Sequence, residues 1–182
     1  MQQEKKNNKT VTILSWFLVL MCMAVIFWLS SRTADESAAQ SGVIVEWIIK
    51  HFGDNGVTDF IVRKSAHFCE YIGLCFLISN AIYQTKKKII PLYACTLTSL
   101  YAISDEFHQL FVSGRSCELK DWAIDTVGAF VGAAAFFIIH TIAGKAAKSK
   151  KAAKSKKIPT LCPGARPKRA KFPLPLLLCW LC

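Results

Sequence analysis

The chain has 182 residues, of which 53% are hydrophobic and 19% are charged, and its formal net charge is +11. Charged residues are concentrated between long uncharged windows, which is typical of a multi-pass membrane protein. Because 11 of the 23 Lys and Arg residues lie from Lys145 onward, the basic excess belongs to a tail, and we expect no nucleic-acid partner.

The first predicted element is a membrane-spanning helix over residues 11–29, a run of 19 residues without a charge. A helix of that length rises about 28 Å, close to the hydrocarbon thickness of about 30 Å. A cleaved signal peptide is the alternative, but the run is longer than a usual signal core and the following SSRTADES has no convincing cleavage site. We therefore expect a polar, cytoplasmic N-terminus at residues 1–10 and an uncleaved first span.

The next segment, residues 30–60, is the longest polar connection ahead of the tail. Within it, residues 43–52 place Glu46 and Lys50 four apart on one helical face, among mostly apolar neighbours. This pattern predicts a short helix that lies at the membrane interface or against the bundle. The GDNG sequence that follows is expected to end that helix.

Two further spans are predicted on either side of the basic loop at residues 86–88. Span two opens with DFIVRKSAHFCEY and runs to Tyr83, and its charged residues are confined to its first half. Span three covers residues 89–103, with Pro91 in the first turn, where a missing N–H does no harm.

The fourth predicted span covers residues 122–143. It carries Gly128 and Gly132 in a G-x-x-x-G pattern that is suited to close contact between helices. The expected fold class is therefore all-α, an integral membrane bundle of four transmembrane helices over residues 11–143.

Residues 144–182 form a basic tail in which KAAKSK occurs twice in succession. Such low complexity predicts a disordered segment that is attracted to anionic inner-leaflet lipid. The apolar cluster near residue 180 is too short to span a membrane. We expect residues 158–182 to be dispensable for function.

Lys and Arg residues are distributed unequally between the two sides of the predicted bundle. The N-terminus, the 86–88 loop and the tail together hold 17 of the 23. By the positive-inside rule, both termini are predicted to be cytoplasmic. The polar ends of spans two, three and four would then lie on the outer face.

Polar side chains recur at helical spacing at these outer ends. Ionisable groups are costly beneath the membrane surface, so we expect them to pair with one another or to serve a function. The sequence predicts one connected cluster. Its expected members are Arg63, His67, Glu70, Asp105, Glu106, His108, Gln109, Arg115, Asp121 and Asp125.

Several kinds of chemistry are open to this cluster. Acid–base catalysis needs a His or carboxylate with a shifted pKa, and the candidates are His67, Glu70, Asp105, Glu106 and His108. The binding candidates are Arg63, Gln109, Arg115, Asp121 and Asp125, with Arg115 suited to a phosphate or carboxylate. A closed network that only fixes helix register is the alternative.

Other polar residues are given simpler interpretations. Lys64 lies off the polar stripe and is interpreted as an interfacial anchor. We expect no metal site, because neither H-x-x-E nor D-E-x-H is a complete ligand set and the eight cysteines lack paired spacing. The sequence does not identify a cofactor.

RKSAHFCEYIGL in span two and ISDEFHQLFVSGRSCELKDWAIDTVGAFVG across spans three and four resemble the VanZ-like family of bacterial membrane proteins. The early SSRTADES resembles that family's Ser-rich segment after the first helix, and the resemblance covers about residues 28–137. It implies a four-helix protein of the bacterial plasma membrane, whose namesake is associated with resistance to the glycopeptide antibiotic teicoplanin.

The function expected from this resemblance is a cell-envelope protein with an outer-face polar site that contributes to glycopeptide resistance. A membrane lipid or a lipid-linked cell-wall precursor is the expected partner. Two alternatives remain open. One is a membrane-embedded enzyme acting on a phosphorylated or lipid-linked substrate, and the other is a structural partner subunit.

Overall fold

The computed structural model describes residues 2–53, 56–115 and 118–156, with side chains described over 9–53, 56–115 and 118–150. This part of the chain is all-α, as predicted, and it has no strand. The chain divides into the units Met1–Gly144 and Lys145–Cys182. Its five helices are α1 (Gln2–Ser30), α2 (Ala34–Phe52), α3 (Asp59–Lys86), α4 (Pro91–Gln109) and α5 (Leu119–Lys156).

Three helices in the described part are long and apolar enough to cross a membrane: Lys9–Ser30, Asp59–Lys86 and Leu119–Lys150. They contain the first, second and fourth predicted spans, so the chain is a multi-pass membrane protein. The 19 residues of α4 are not among the three, although a helix of that length rises about 28 Å. The predicted total of four spans therefore stays a prediction.

The helix α2 begins at Ala34, well before the predicted residue 43. The N–H of Glu36 donates to the Thr33 hydroxyl oxygen at 3.3 Å, and Glu36 Oε2 accepts from the Thr33 N–H at 3.2 Å. This reciprocal capping box satisfies two helix-end donors. The SSRTADES segment therefore starts a helix, where the sequence predicted a polar connection.

The helix α3 lies at the centre of the first unit, in contact with α1, α2 and α4. Its residues Tyr71, Leu74 and Cys75 are fully buried in the apolar core. Thr12 of α1 donates to the Gln84 carbonyl at 3.4 Å, and Ser15, later in α1, accepts from Asn80 Nδ2, earlier in α3, at 3.3 Å. The two helices are therefore antiparallel.

The helix α5 packs closely against α3 through two glycines. A Cβ atom at Gly128 would lie 2.8 Å from the Phe68 carbonyl oxygen, and one at Gly132 would overlap the Ile72 carbonyl. Real Cβ contacts are longer than this, so only glycine allows the observed approach. The prediction that both glycines face another helix is confirmed.

The second unit, described by itself, contains the last part of α5, which continues through the KAAKSK repeat to Lys156. The sequence predicted an unstructured chain there. Alanine and lysine are strong helix formers, which explains the helix at residues 145–156. Residues 157–182 lie outside the described part of the chain.

Candidate functional site

The helices of the first unit bring their polar segments to one end, which we call the polar end. Ser30, at the end of α1, donates from Oγ to Asp105 Oδ2 of α4 at 2.8 Å. Lys64, near the start of α3, forms an ion pair with Asp121, near the start of α5. These contacts place the end of α1, the start of α3, the end of α4 and the start of α5 together.

A cavity of about 130 Å³ opens at the polar end. Since roughly 10–15 Å³ of such space holds one water, the cavity is large enough for several waters or one small ionic group. Phe60 and Ile124 supply apolar parts of its wall. Seven of the ten predicted site residues line it: Arg63, His67, Glu106, Gln109, Arg115, Asp121 and Asp125.

The other three predicted residues do not line the cavity. Glu70 lies beside His67, with 3.4 Å between Glu70 Oε2 and His67 Nδ1. Asp105 is only 3% exposed and accepts a hydrogen bond from Gln109 Nε2. His108 lies on the α1 side of α4, where its ring stacks on Phe27 at 4.4 Å.

His108 therefore lies apart from the residues that line the cavity. Its Nε2 is 3.1 Å from the hydroxyl of Ser31, so its polar partner comes from the end of α1. The adjacent residue Gln109 is turned by about 100° on the helix and faces the cavity. Spacing on one helix could not decide which of the two would face the cavity.

Arg115 is held in place by a chain of hydrogen bonds that starts in the buried interior. Gln109 Nε2 donates to Asp105 Oδ2 at 3.1 Å, and Arg115 Nη1 donates to Gln109 Oε1 at 3.3 Å. Arg115 Nε also donates to the carbonyl oxygen of Arg32 at 3.0 Å. These contacts orient the guanidinium group at the wall of the cavity.

Both acceptors of the Arg115 guanidinium are neutral oxygens. Within the described part of the chain, it makes no ion pair with a carboxylate. Its burial, together with the nearby Arg63 charge, lowers the pKa of Arg115 from its ordinary value. Arginine nevertheless remains charged at any physiological pH. Arg115 therefore presents a positive charge that an anion in the cavity would neutralise.

The other two cations of the cavity have carboxylate partners. Lys64 pairs with Asp121, and Arg63 lies 3.9 Å from Asp59 on the preceding helical turn. Lys64 itself lines the cavity, and its interpretation as an interfacial anchor stays a prediction. Its partner comes from α5, so the pattern within α3 gave no signal for it.

Two carboxylates that line the cavity are deeply buried, Asp125 at 3% exposure and Glu106 at 5%. Glu106 Oε2 accepts from the Glu118 N–H at 3.2 Å. Asp125 has no hydrogen bond or ion pair with any described residue. No group of His, Cys, Asp and Glu in the described part is arranged to hold a metal ion.

Ser30 is a contributor that sequence reasoning missed. It is fully buried, and besides its bond to Asp105 it accepts from Gln109 Nε2 at 3.5 Å. A serine directly after an apolar run is common at a helix end, so the sequence held no specific signal. Its role follows only from the approach of α4 to α1.

An all-α multi-pass protein with a charged cavity at one end of its bundle is the class that this fold and site define. A family model described as VanZ/LLP1 matches residues 15–140. The chain therefore belongs to the VanZ/LLP1 family, as the motifs around His67 and His108 predicted. No curated protein and no solved structure matches the chain.

Proposed function

We propose that the protein lies in the bacterial plasma membrane with both termini in the cytoplasm and the polar end on the outer face. The bias of 17 of 23 Lys and Arg residues toward one side supports this orientation. In the same proposal, α4 is the third of four spans. In support, the Tyr101 hydroxyl of α4 donates to the Met23 carbonyl in the interior of α1 at 2.7 Å.

The proposed function is to bind the anionic head group of a membrane lipid or a lipid-linked cell-wall precursor, and thereby to contribute to resistance to glycopeptides such as teicoplanin. The observation that carries the proposal is Arg115. Its guanidinium is oriented by neutral oxygens and faces a cavity of about 130 Å³ without a carboxylate partner. Arginine in this state binds phosphate or carboxylate through paired hydrogen bonds.

The test combines binding with antibiotic susceptibility. The wild-type protein should bind a polyprenyl phosphate in detergent and raise the teicoplanin concentration that a susceptible host tolerates. Arg115→Gln should weaken binding by roughly tenfold to a hundredfold, the loss of one charge-assisted hydrogen-bonded contact of about 1.5–3 kcal/mol. It should lower resistance in parallel, at unchanged protein level.

Lys50→Gln supplies the matched control, because Lys50 is an exposed cation at the end of α2. It should leave both binding and resistance as in the wild type. Equal binding by the wild type and the Arg115→Gln variant would contradict the proposed site. Binding without any change in susceptibility would contradict the link to resistance.

A second candidate function is a membrane-embedded enzyme acting on a phosphorylated or lipid-linked substrate. It is favoured by His67, which lines the cavity while its Nδ1 lies 3.4 Å from Glu70 Oε2. A carboxylate near one ring nitrogen, here without a hydrogen bond between the two atoms, leaves the other nitrogen available to exchange a proton with a ligand. An enzyme would release product from a bound lipid phosphate, and His67→Gln would abolish release while binding persists.

A further inference from the structure

The wall of the cavity carries ionisable side chains of both signs, Arg115 and Asp125, that make no ion pair with any described residue. Asp125 is only 3% exposed and has no hydrogen-bond or ion-pair partner within the described part of the chain. A carboxylate in this position is costly unless a donor reaches it. Because Asp125 lines the cavity, an occupant of the cavity can supply that donor.

None of the protein's own cations forms an ion pair with Asp125 within the described part of the chain. Lys64 is engaged by Asp121 and Arg63 lies beside Asp59. His67 has Glu70 at 3.4 Å from its Nδ1. Arg115, the remaining cation on the wall, is bound to neutral oxygens and makes no ion pair with a described carboxylate.

A second buried carboxylate of the cavity wall, Glu106, can also accept hydrogen bonds from a ligand. Glu106 is 5% exposed and comes from α4, whereas Asp125 comes from α5. One oxygen of Glu106 accepts the Glu118 N–H, which leaves its other oxygen available to a ligand. Two carboxylates from two helices can therefore share one cationic group.

We propose that the cavity takes a zwitterionic group, a phosphate ester that carries a primary ammonium, with the phosphate on Arg115 and the ammonium on Asp125 and Glu106. This inference rests on the proposed function, because it specifies the head group bound at the same site. A primary ammonium has three N–H donors, which match carboxylate acceptors on two helices.

The inference also defines which ligands the site should bind less tightly. A quaternary ammonium has no N–H donor, so it would lie beside Asp125 and Glu106 without donating a hydrogen bond to either. An alkyl phosphate without an amine would leave Asp125 buried and unpaired. The preferred chemistry is that of phosphoethanolamine, either as a free compound or as the head group of a diacyl lipid.

The experiment compares three soluble probes on the intact purified protein in detergent: O-phosphoethanolamine, ethyl phosphate and O-phosphocholine. Wild type should bind phosphoethanolamine at least about tenfold more tightly than either other probe, since a charge-assisted hydrogen bond supplies about 1.5–3 kcal/mol. Asp125→Asn should bring the ratio of the phosphoethanolamine and ethyl phosphate affinities close to one. Glu46→Gln, at an exposed position of α2, should preserve the wild-type ratio.

If Asp125→Asn does not fold, Glu106→Gln provides a second measurement of the same ratio. Wild-type binding of all three probes with equal affinity would overturn the zwitterion inference and leave the anion site of the proposed function standing. No binding of any phosphate would overturn both. An unchanged ratio in the Asp125→Asn and Glu106→Gln variants would overturn the assignment of the ammonium to these carboxylates.

The source of the head group is distinguished by repeating the comparison in nanodiscs that contain phosphatidylethanolamine, phosphatidylglycerol or phosphatidylcholine. A preference for the ethanolamine lipid that disappears in Asp125→Asn supports a lipid ligand. A preference confined to the soluble probes supports a free phosphoethanolamine compound. If the ethanolamine compound is preferred neither among the soluble probes nor among the nanodisc lipids, the inference is overturned.

Discussion

Arg115 depends on Gln109 for its position, although Gln109 carries no charge. The Gln109 side chain bridges a buried carboxylate and the guanidinium, since it donates to Asp105 at 3.1 Å and accepts from Arg115 at 3.3 Å. An amide suits this place because it has both a donor and an acceptor. We therefore describe Gln109 as a positioning residue.

Replacing Gln109 with alanine should weaken anion binding by Arg115 and destabilise the protein by about 1–3 kcal/mol, the cost of leaving buried polar groups unsatisfied. Affinity for ethyl phosphate and thermal stability in detergent are the two measurements. Gln40→Ala, at an exposed position of α2, is the control and should change neither. Full anion affinity in a folded Gln109→Ala variant would show that Arg115 is oriented without it.

Single residues also show how far sequence could predict the site. Helical spacing and the cost of charge in a membrane predicted a cluster that included His67 and Asp125, and both line the cavity. Helical spacing could not show the contacts of Lys64 and His108, since each contact is made with a neighbour on another helix. Lys64 meets Asp121 of α5, and His108 meets Phe27 of α1.

At the scale of elements, the contact between α3 and α5 positions the cavity. Gly128 and Gly132 let the backbone of α5 approach the carbonyls of Phe68 and Ile72. This approach brings Asp125, one turn before Gly128, beside the part of α3 that holds His67. The G-x-x-x-G pattern predicted a close contact but could not identify the partner helix.

Gly132→Ala should lower stability by about 1–3 kcal/mol, because the new Cβ would overlap the Ile72 carbonyl and the helices would have to separate. Gly132→Leu should prevent assembly. Thermal unfolding in detergent measures the first variant and the level of membrane-inserted protein measures the second. Gly73→Ala is the matched control, since a Cβ there would have no neighbour within 4 Å apart from the adjacent residues and backbone of its own helix; equal losses at Gly73 and Gly132 would refute the close-contact explanation.

The element boundaries were predicted unevenly for physical reasons. Apolar runs located α1, α3 and α5, because a membrane-crossing helix must be long and nearly free of charge. The start of α2 was missed, since Thr33 and Glu36 act as a capping box within a segment that is polar throughout. The low complexity of residues 145–156 predicts disorder, whereas the helix propensity of Ala and Lys accounts for the helix that is observed there.

At the scale of the whole molecule, the alternating helix directions put the cavity and the basic loop at residues 86–88 at opposite ends of the first unit. The polar end holds the cavity, whereas Lys86 and Lys87 lie at the far end of α3. This separation supports the proposed orientation, because the positive-inside rule places the basic end in the cytoplasm. The sequence predicted the same separation from charge counts alone.

The orientation can be tested with cysteines as probes of each end. The predicted orientation places Cys117, between spans three and four, outside the cell and Cys162, in the tail, inside it, but both residues fall outside the described part of the chain. His51 and Lys88 are described and exposed, in the last turn of α2 and in the loop between α3 and α4. Each is changed singly to cysteine in a parent that retains only the buried Cys75 and Cys95.

In intact protoplasts, an impermeant maleimide should label His51→Cys and should label Lys88→Cys only after the membrane is permeabilised. The parent, whose two thiols are at most 3% exposed, should remain unlabelled throughout. The reverse pattern would place the polar end and its cavity in the cytoplasm, and an extracellular cell-wall ligand would then be excluded. Labelling of both positions from outside would show that α3 does not cross the membrane, which would contradict the four-span arrangement itself.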